Sequence, residues 1–185
     1  MKKILLLIGC CLVNLAMAQK DHFTITPKGL QSQVTGENYI TLEVKGTPEQ
    51  LYKNTLLFLH RLYASKKNAI TEQDSTLIKL NGYAPKAIRR TDGSVMNMVY
   101  NMVFEFDDNA ITIDAPNYQF EFDIPTTSEN KIVQDTTDLS KASISLYNPA
   151  GKLIEEKAAL DVVTYFNGFI KNYYRAITHP EMLSN

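Results

Sequence analysis

The sequence predicts a two-layer α+β domain, in which two helices cover one face of an antiparallel sheet of about five strands. Three observations lead to this prediction. Residues 39–45, 96–106 and 118–124 alternate apolar and polar side chains, which is typical of half-buried strands. Two further segments, 47–64 and 154–177, carry apolar side chains at helical spacing. Short turn signals separate several of the strands, which favours antiparallel pairing between neighbours.

The composition is that of a globular domain and excludes several classes of protein. Of 185 residues, 44% are hydrophobic and 21% are charged, which is too apolar for a disordered chain. The 19 Lys and Arg residues against 20 Asp and Glu residues give a formal net charge of −1. Because a nucleic-acid-binding domain usually carries a strong basic excess, we expect no nucleic-acid partner.

Residues 1–18 have the pattern of a secretory signal peptide. Lys2 and Lys3 precede an apolar run over residues 4–13, and the pattern Ala16-x-Ala18 places cleavage before Gln19. The apolar run is shorter than the about 20 residues needed to span a membrane. The sequence therefore predicts an exported chain with no transmembrane helix after cleavage, in the periplasm or secreted.

The cysteines leave one alternative open. Residues 7–10, Leu-Ile-Gly-Cys, resemble a lipobox, which would make the protein a lipoprotein anchored through Cys10. Cleavage before Gln19 instead removes Cys10 and Cys11, the only cysteines of the chain. A mature chain without cysteine has no disulfide, no thiolate chemistry and no cysteine-ligated zinc.

The predicted mature chain begins with a polar lead-in, residues 19–38, and continues as a single domain over residues 39–178. We expect the lead-in to be loosely attached, with a turn at residues 27–29 and one edge strand at most. The first strand of the domain spans residues 39–45. It directs Ile40, Leu42 and Val44 towards the core and ends at Gly46.

The first helix is predicted from its N-terminal signals. Thr47 can cap it, Pro48 suits the first helical position, and Gln50 completes a capping box. The helix should run to about residue 64, with cations at residues 66 and 67 near its end. Its predicted buried stripe consists of Leu51, Thr55, Phe58, Leu59 and Leu62.

The strands that follow are predicted as a short strand over residues 75–80 and an antiparallel meander. The short strand should end at Asn81-Gly82, and a basic loop over residues 86–90 should lead to a turn at Asp92-Gly93. The meander consists of strands 96–106, 110–114 and 118–124, with turns at residues 107–109 and 115–117.

A polar surface loop over residues 126–142 is predicted next. Residues 143–147 form either a short strand or a strap across the fold, and a turn at residues 148–151 then leads into the second helix, residues 154–177. Gly168 lies inside this helix at a cost of about 1 kcal/mol relative to alanine. A close approach of the helix to the sheet would explain it.

A family resemblance supports this architecture. The export signal, the strand leading into residues 46–52 (Gly-Thr-Pro-Glu-Gln-Leu-Tyr), the long first helix, the strand at residues 118–122 and the late helix resemble a secreted Gram-negative bacterial family of unknown function with a TATA-binding-protein-like fold. The resemblance covers residues 39–124 best. It implies a fold and brings with it no activity, cofactor or site residue.

The sequence contains no recognisable motif of a catalytic, cofactor or metal site. His22, His60 and His179 lie far apart in sequence, and none has a further ligand at the spacing of a zinc motif. There is no Gly-x-Ser-x-Gly elbow and no glycine-rich phosphate loop. We therefore expect a chain that is not an enzyme and that holds no cofactor and no metal.

Two groups of charged side chains have alternative interpretations. Glu105, Glu121 and Asp123 lie on the polar face of predicted strands, where acids usually keep the sheet solvated. A glycosidase would need two such carboxyl groups about 5–9.5 Å apart in a cleft. Residues 86–90 include three cations, which would contact either solvent or an anionic partner.

The apolar face of the sheet also has two interpretations. Its aromatic and sulfur side chains are either a filled core, as interiors usually are, or the lining of an apolar pocket between sheet and helices. The candidate pocket residues are Tyr100, Met102, Phe104, Phe120 and Phe122. A pocket would need at least about 300 Å³.

The sequence therefore supports three functions in decreasing order. The first is a non-catalytic module that binds a protein or envelope component. The second is a carrier of a small apolar ligand between sheet and helices. The third is a hydrolase that uses Glu105 or Glu121.

Overall fold

A computed structural model of the chain describes residues 21–63, 69–73, 76–122 and 145–183. Its elements, in chain order, are β1 (Phe23–Thr26), β2 (Gly29–Ser32), β3 (Tyr39–Glu43), α1 (Pro48–Tyr63), β4 (Ile70–Gln73), β5 (Leu77–Arg89), β6 (Val95–Asp107), β7 (Ala110–Asp114), β8 (Asn117–Phe122), α2 (Glu156–Thr178) and a final 3-10 helix (Pro180–Leu183). The predicted lipidation site Cys10, the cleavage residues Ala16, Ala18 and Gln19, and the loop 126–142 lie outside the described residues.

The architecture is the predicted α+β arrangement. An antiparallel six-stranded sheet has the order β3-β7-β6-β5-β4, and β8 pairs with β6 beside β7. Both helices pack on one face of this sheet and on each other. The core lies between the two layers and draws its side chains from α1, α2 and one face of the sheet. In the described part of the chain, neither helix combines the length and apolarity needed to cross a membrane.

The lead-in is more firmly attached than the sequence suggests. The predicted turn is present, and it joins β1 and β2 into a separate hairpin. Phe23 at its start is fully buried, and its N–H donates to Asn167 Oδ1 of α2 at 2.9 Å. Asn167 Nδ2 donates back to the Phe23 carbonyl at 2.9 Å. The polar composition of the lead-in gave no sign of this attachment, because only the Phe23 side chain and the Asn167 amide provide it.

The prediction of β3 and α1 is confirmed, with one error in the buried stripe. In the capping box, Thr47 N–H donates to Gln50 Oε1 at 3.1 Å, and Gln50 N–H donates to Thr47 Oγ1 at 3.3 Å. Leu62 is exposed, whereas Tyr52 and Tyr63 are buried. The helix therefore turns its tyrosines inward, where their hydroxyl groups can find partners.

The predicted short strand 75–80 is wrong in length, because β5 runs from Leu77 to Arg89. Asn81-Gly82 makes no turn. Gly82 lies directly opposite Tyr100 on β6, and a Cβ at Gly82 would come within 2.0 Å of Tyr100 Cζ. Glycine is needed at position 82 because the Tyr100 ring covers it.

The basic segment belongs to the same strand, which bulges between Ala84 and Ile88. Pro85 lies in this bulge and has no N–H to donate to a ladder. The turn at Asp92-Gly93 is as predicted.

The strands β6, β7 and β8 are present, but they do not form a simple meander. β7 and β8 both pair with β6, β7 along its C-terminal half and β8 along its N-terminal half. Residues 115 and 116 therefore do not reverse the chain. The register shifts by one residue there, since Phe104 pairs with Ile113 whereas Asn101 pairs with Asn117. A proline, which cannot donate to the ladder, marks the irregularity.

The second helix, α2, contributes two fully buried aromatic side chains, Phe166 and Tyr173, to the core. Its buried residues recur at helical spacing, as predicted, and include Val162, Phe166, Ile170, Tyr173 and Ile177. The explanation offered for Gly168 is wrong, because a Cβ there would meet no atom within 4 Å. No contact in the described structure requires this glycine.

Candidate functional site

The fold does not bring together the histidines considered as metal ligands. His60 and His179 are exposed at the C-terminal ends of the two helices, and His22 precedes β1. Over the described residues, no group of three or more His, Cys, Asp and Glu side chains could hold a metal ion. Asp123 lies outside those residues.

The two remaining sheet-face acids are too far apart for paired-carboxylate chemistry. Glu105 pairs with Thr112 and Leu77, whereas Glu121 pairs with Asn97. Residues 97 and 105 are eight positions apart on β6, so the two acids are separated by about 26 Å at about 3.3 Å per residue. Glycosidases hold their two carboxyl groups within about 5–9.5 Å. This geometry does not support the hydrolase interpretation.

Two of the three cations of the basic segment, Arg89 and Arg90, are paired with acids of α2 and its N-cap. Arg89 binds Asp161 through Nη2 at 2.5 Å and Nε at 3.0 Å. Arg90 Nη2 binds Glu155 Oε1 at 2.9 Å, and Thr91 N–H donates to Glu155 Oε2 at 3.0 Å. The hydrogen bond from the Thr91 backbone, with those from Arg90, holds the pKa of Glu155 below its usual range. These two arginines fix the β5–β6 turn to α2, which leaves them poorly suited to an anionic partner.

The candidate pocket residues lie in a filled part of the core. Tyr100, Met102, Phe104 and Phe120 are all buried. The ring of Tyr100 meets that of Phe166 edge-on with centroids 5.3 Å apart, and the ring of Phe104 lies 5.3 Å from that of Tyr173. Aromatic side chains of α2 thus occupy the space in which a ligand would lie. Phe122 is on β8, and its side chain is outside what the structure describes.

Buried hydroxyl groups form a network that the sequence did not predict. Tyr100 Oη bonds Tyr63 Oη at 2.5 Å and Tyr165 Oη at 2.9 Å. Burial raises the pKa of Tyr63 to about 12 and raises that of Tyr100 further. Thr55 Oγ1 and Tyr173 Oη share a second buried bond of 2.6 Å. Since each hydroxyl satisfies another, we assign these groups to the stability of the core.

A large concave feature of the described residues lies where β3 ends. This groove of about 1350 Å³ is lined by Thr41 and residues 43–45, by Asn109 and Ala110 at the β6–β7 turn, and by the first turns of α1 and the end of α2. A smaller pocket of about 270 Å³ lies between Leu42, Ile170 and the start of the hairpin. Tyr174 lines both spaces, so they adjoin. We call the two together the β3 groove.

Local sequence explains why the groove is open at this point. The chain leaves β3 at Gly46, whose φ of +152° is in the region that favours glycine. Thr47 then caps α1, so the chain turns away into the helical layer. On the other side, α2 ends at Thr178 and the 3-10 helix begins at Pro180. The groove lies between these two chain ends.

The backbone of β3 faces two ways. Val44 N–H donates to the Asn109 carbonyl at 3.0 Å, and Ala115 N–H donates to the Asn38 carbonyl at 2.7 Å. In an antiparallel ladder, alternate residues bond the same partner, so the even-numbered residues of β3 bond β7. The peptide groups of Tyr39, Thr41 and Glu43 therefore point away from the sheet. In the described structure β3 has β7 as its one ladder partner, so no strand pairs with its outer edge, and β2 of the hairpin contacts the strand.

The charged side chains of the groove are mostly cationic. Lys45 and Lys53 line the larger space and Lys171 lines the smaller, against Glu43 and Asp21. Lys53 binds Glu49 at 2.8 Å. Asp21 accepts a bond of 2.6 Å from the hydroxyl of Ser32.

Among the described ion pairs, none engages Lys45 or Lys171. These two lysines can therefore meet an anion on a partner.

Comparison with known proteins gives distant structural similarities. No protein-family model matches the chain, and no curated protein does. A TBP-like protein from Parabacteroides distasonis has 15% identity and a TM-score of 0.46, over 80% of this chain and 91% of that one. A DUF4468 family protein from Bacteroides ovatus has 12% identity and a TM-score of 0.47, over 76% and 84% of the two chains.

Proposed function

We propose that the chain is an exported, non-catalytic module that binds a protein or another component of the envelope of a Gram-negative bacterium. The observation that carries the proposal is the β3 groove. It combines a strand edge without a ladder partner, an open space of about 1350 Å³ and lysines without a carboxylate partner in the described structure. Binding sites are concave and place a few polar groups around apolar walls, and the groove has this form.

Export and site of action are part of the proposal. The predicted signal, residues 1–18, directs the chain to the periplasm or the medium, and lipidation at Cys10 would instead hold it on a membrane. The mass of the protein purified from its own host distinguishes the two. A chain that begins at Gln19 supports a soluble protein, and one that begins at a lipidated Cys10 supports the anchored form. An uncleaved N-terminus would contradict both.

Site-specific crosslinking tests binding at the groove. A photo-reactive amino acid replaces Lys45 in the groove, and in a matched control it replaces Leu160, which is 62% exposed on α2 and does not line the groove. Irradiation of living cells should give a discrete adduct from position 45 and none from position 160. Equal adducts at both positions, or none at either, would contradict the proposal.

A carrier of a small apolar ligand is the second candidate. The pocket of about 270 Å³ between Leu42 and Ile170 favours it, although it is smaller than the about 300 Å³ at the lower end for ligand sites. Native mass spectrometry of the protein from its host would show a retained extra mass if a ligand is carried. Replacement of Ile170 with Trp, which fills this pocket, should then remove that mass.

A further inference from the structure

We propose that the outer edge of β3 takes up an extended peptide segment of a partner protein as an added strand. The inference rests on the proposed binding function and names the class of partner for the same groove. Strand addition obtains its affinity from main-chain hydrogen bonds and its specificity from pockets for alternate side chains. Both parts are present at β3.

The main-chain part is the row of peptide groups at Tyr39, Thr41 and Glu43. Their N–H and C=O groups point outward, at the two-residue spacing that an added strand requires. Exposed edges are usually protected by proline, lysine, a bulge or a covering element. The strand itself has none of these residues, because its sequence is Tyr-Ile-Thr-Leu-Glu and its register with β7 is regular. Five residues at about 3.3 Å each give a docking length of about 17 Å.

The side-chain part is the space between β3 and α2. An added strand would lie about 4.8 Å from the outer edge of β3, next to the groove residues of β3 and α2. Its inward-facing side chains would enter that space and meet Val44, Ile177 and, in the smaller pocket, Ile170. The partner therefore carries apolar residues at alternate positions.

The lysines of the groove indicate which charged residues the partner segment carries. Lys45 and Lys171 lie at different parts of the groove and pair with no carboxylate in the described structure. A segment with acidic residues beside its apolar positions would satisfy them. The contact is short and well below standard interface size, so we expect a transient complex.

A designed peptide tests the inference. The probe is a fluorescent eight-residue peptide of alternating valine and threonine that ends in two aspartates. Its binding to the mature chain is measured by fluorescence anisotropy, and amide hydrogen exchange is followed by NMR. We expect binding, with slower exchange at the amides of Thr41 and Glu43.

Two N-methylated forms of the probe give the sharpest comparison, because they leave the protein unchanged. In one form the methyl groups block the amides of the odd positions, and in the other those of the even positions. Since one set faces β3 and the other faces solvent, one form should bind at least about tenfold more weakly and the other within about twofold of the probe. Equal effects of the two forms would overturn the inference.

Variants of the protein give the complementary test. Thr41→Pro removes an outward N–H at an edge position, where proline is tolerated, and Thr41→Val keeps the backbone intact. The proline variant should bind the probe at least about tenfold more weakly, and the valine variant within about twofold. A probe ending in two lysines should bind several-fold more weakly. Comparable binding by both Thr41 variants would count against strand addition. Comparable binding of the aspartate and lysine probes would count against the role of charge.

The outcomes separate this inference from the proposed function. An adduct from position 45 in cells, together with unprotected β3 amides, means that the groove binds a partner that adds no strand. No adduct and no peptide binding at up to 1 mM overturns both. Peptide binding with protection confined to other strands overturns the site and leaves a binding module in place.

Discussion

Replacement of Gly82 with alanine is expected to destabilise the domain strongly, although glycine inside a strand is normally a weak point. A Cβ at Gly82 would lie 2.0 Å from Cζ and 2.4 Å from Cε2 of Tyr100. The ring cannot move away easily. It is buried, its hydroxyl group bonds Tyr63 and Tyr165, and its edge packs on Phe166. The added methyl group must therefore displace an aromatic side chain that is held on several sides.

The magnitude follows from three contributions. Overpacking of a close-packed core costs about 1–3 kcal/mol. Displacement of the ring weakens two hydroxyl hydrogen bonds, each worth about 0.5–1.5 kcal/mol. Alanine offsets about 0.4–1 kcal/mol by restricting the unfolded chain. The net loss is about 1–5 kcal/mol, and at about 2–4 °C per kcal/mol for a chain of this size, Tm should fall by about 2–20 °C.

Urea unfolding of the purified mature chain, followed by far-UV circular dichroism, measures this loss. Gly168→Ala is the matched control, because a Cβ there meets no atom within 4 Å and alanine is the better helix former. It should stabilise the domain by up to about 1 kcal/mol.

A double-mutant cycle with Tyr100→Leu tests the cause, since removal of the ring should abolish most of the cost of Gly82→Ala. An equal cost of Gly82→Ala in both backgrounds would refute the reasoning. So would a loss below about 1 kcal/mol in the natural background.

Three further outcomes are expected. Thr47→Ala should lower the free energy of unfolding by about 1 kcal/mol in urea titrations, because it removes the bond that caps Gln50 N–H, whereas Thr47→Ser should have little effect. Stability should fall as the pH drops from the ordinary Glu155 pKa of 4.5 through its lowered native pKa, and Glu155→Gln should flatten that dependence in thermal scans between pH 3 and pH 6. A titration monitored at 295 nm should show late ionisation of four buried or half-buried tyrosines, and stability should fall as the pH rises from about 10 to 12, because the folded state holds their protons more tightly than the unfolded state. These tyrosines are Tyr63, Tyr100, Tyr118 and Tyr173.

The features that could be predicted from the sequence are local ones. The alternation in β3 and β6, the capping box at Thr47 and the spacing in α2 each depend on side chains within a few residues. Such signals report secondary structure and burial directly. The fold class followed, because strands with one apolar face need a helical layer to cover that face.

The errors arose where a distant residue decides the local structure. Asn81-Gly82 has the composition of a turn, and the strand continues through it because Tyr100 covers the glycine from the neighbouring strand. Residues 115–117 have the composition of another turn, yet β6 is long enough to pair with the chain on both sides of Pro116. Residues typical of turns thus also occur inside sheets, where strands approach closely or shift register. Only the pairing of the strands shows whether such residues form a turn.

The candidate site was missed for a different reason. A search for motifs looks for side chains, whereas β3 offers a partner the peptide groups of Tyr39, Thr41 and Glu43. Any strand has such groups, and they are free only when the strand lies at the edge of the sheet, which pairing with β7 determines. The apolar walls of the groove, such as Val44 and Ile177, have the same spacing as core residues and are themselves largely buried. A site that binds through its backbone therefore needs no side-chain signature, and only the position of the strand in the sheet can reveal it.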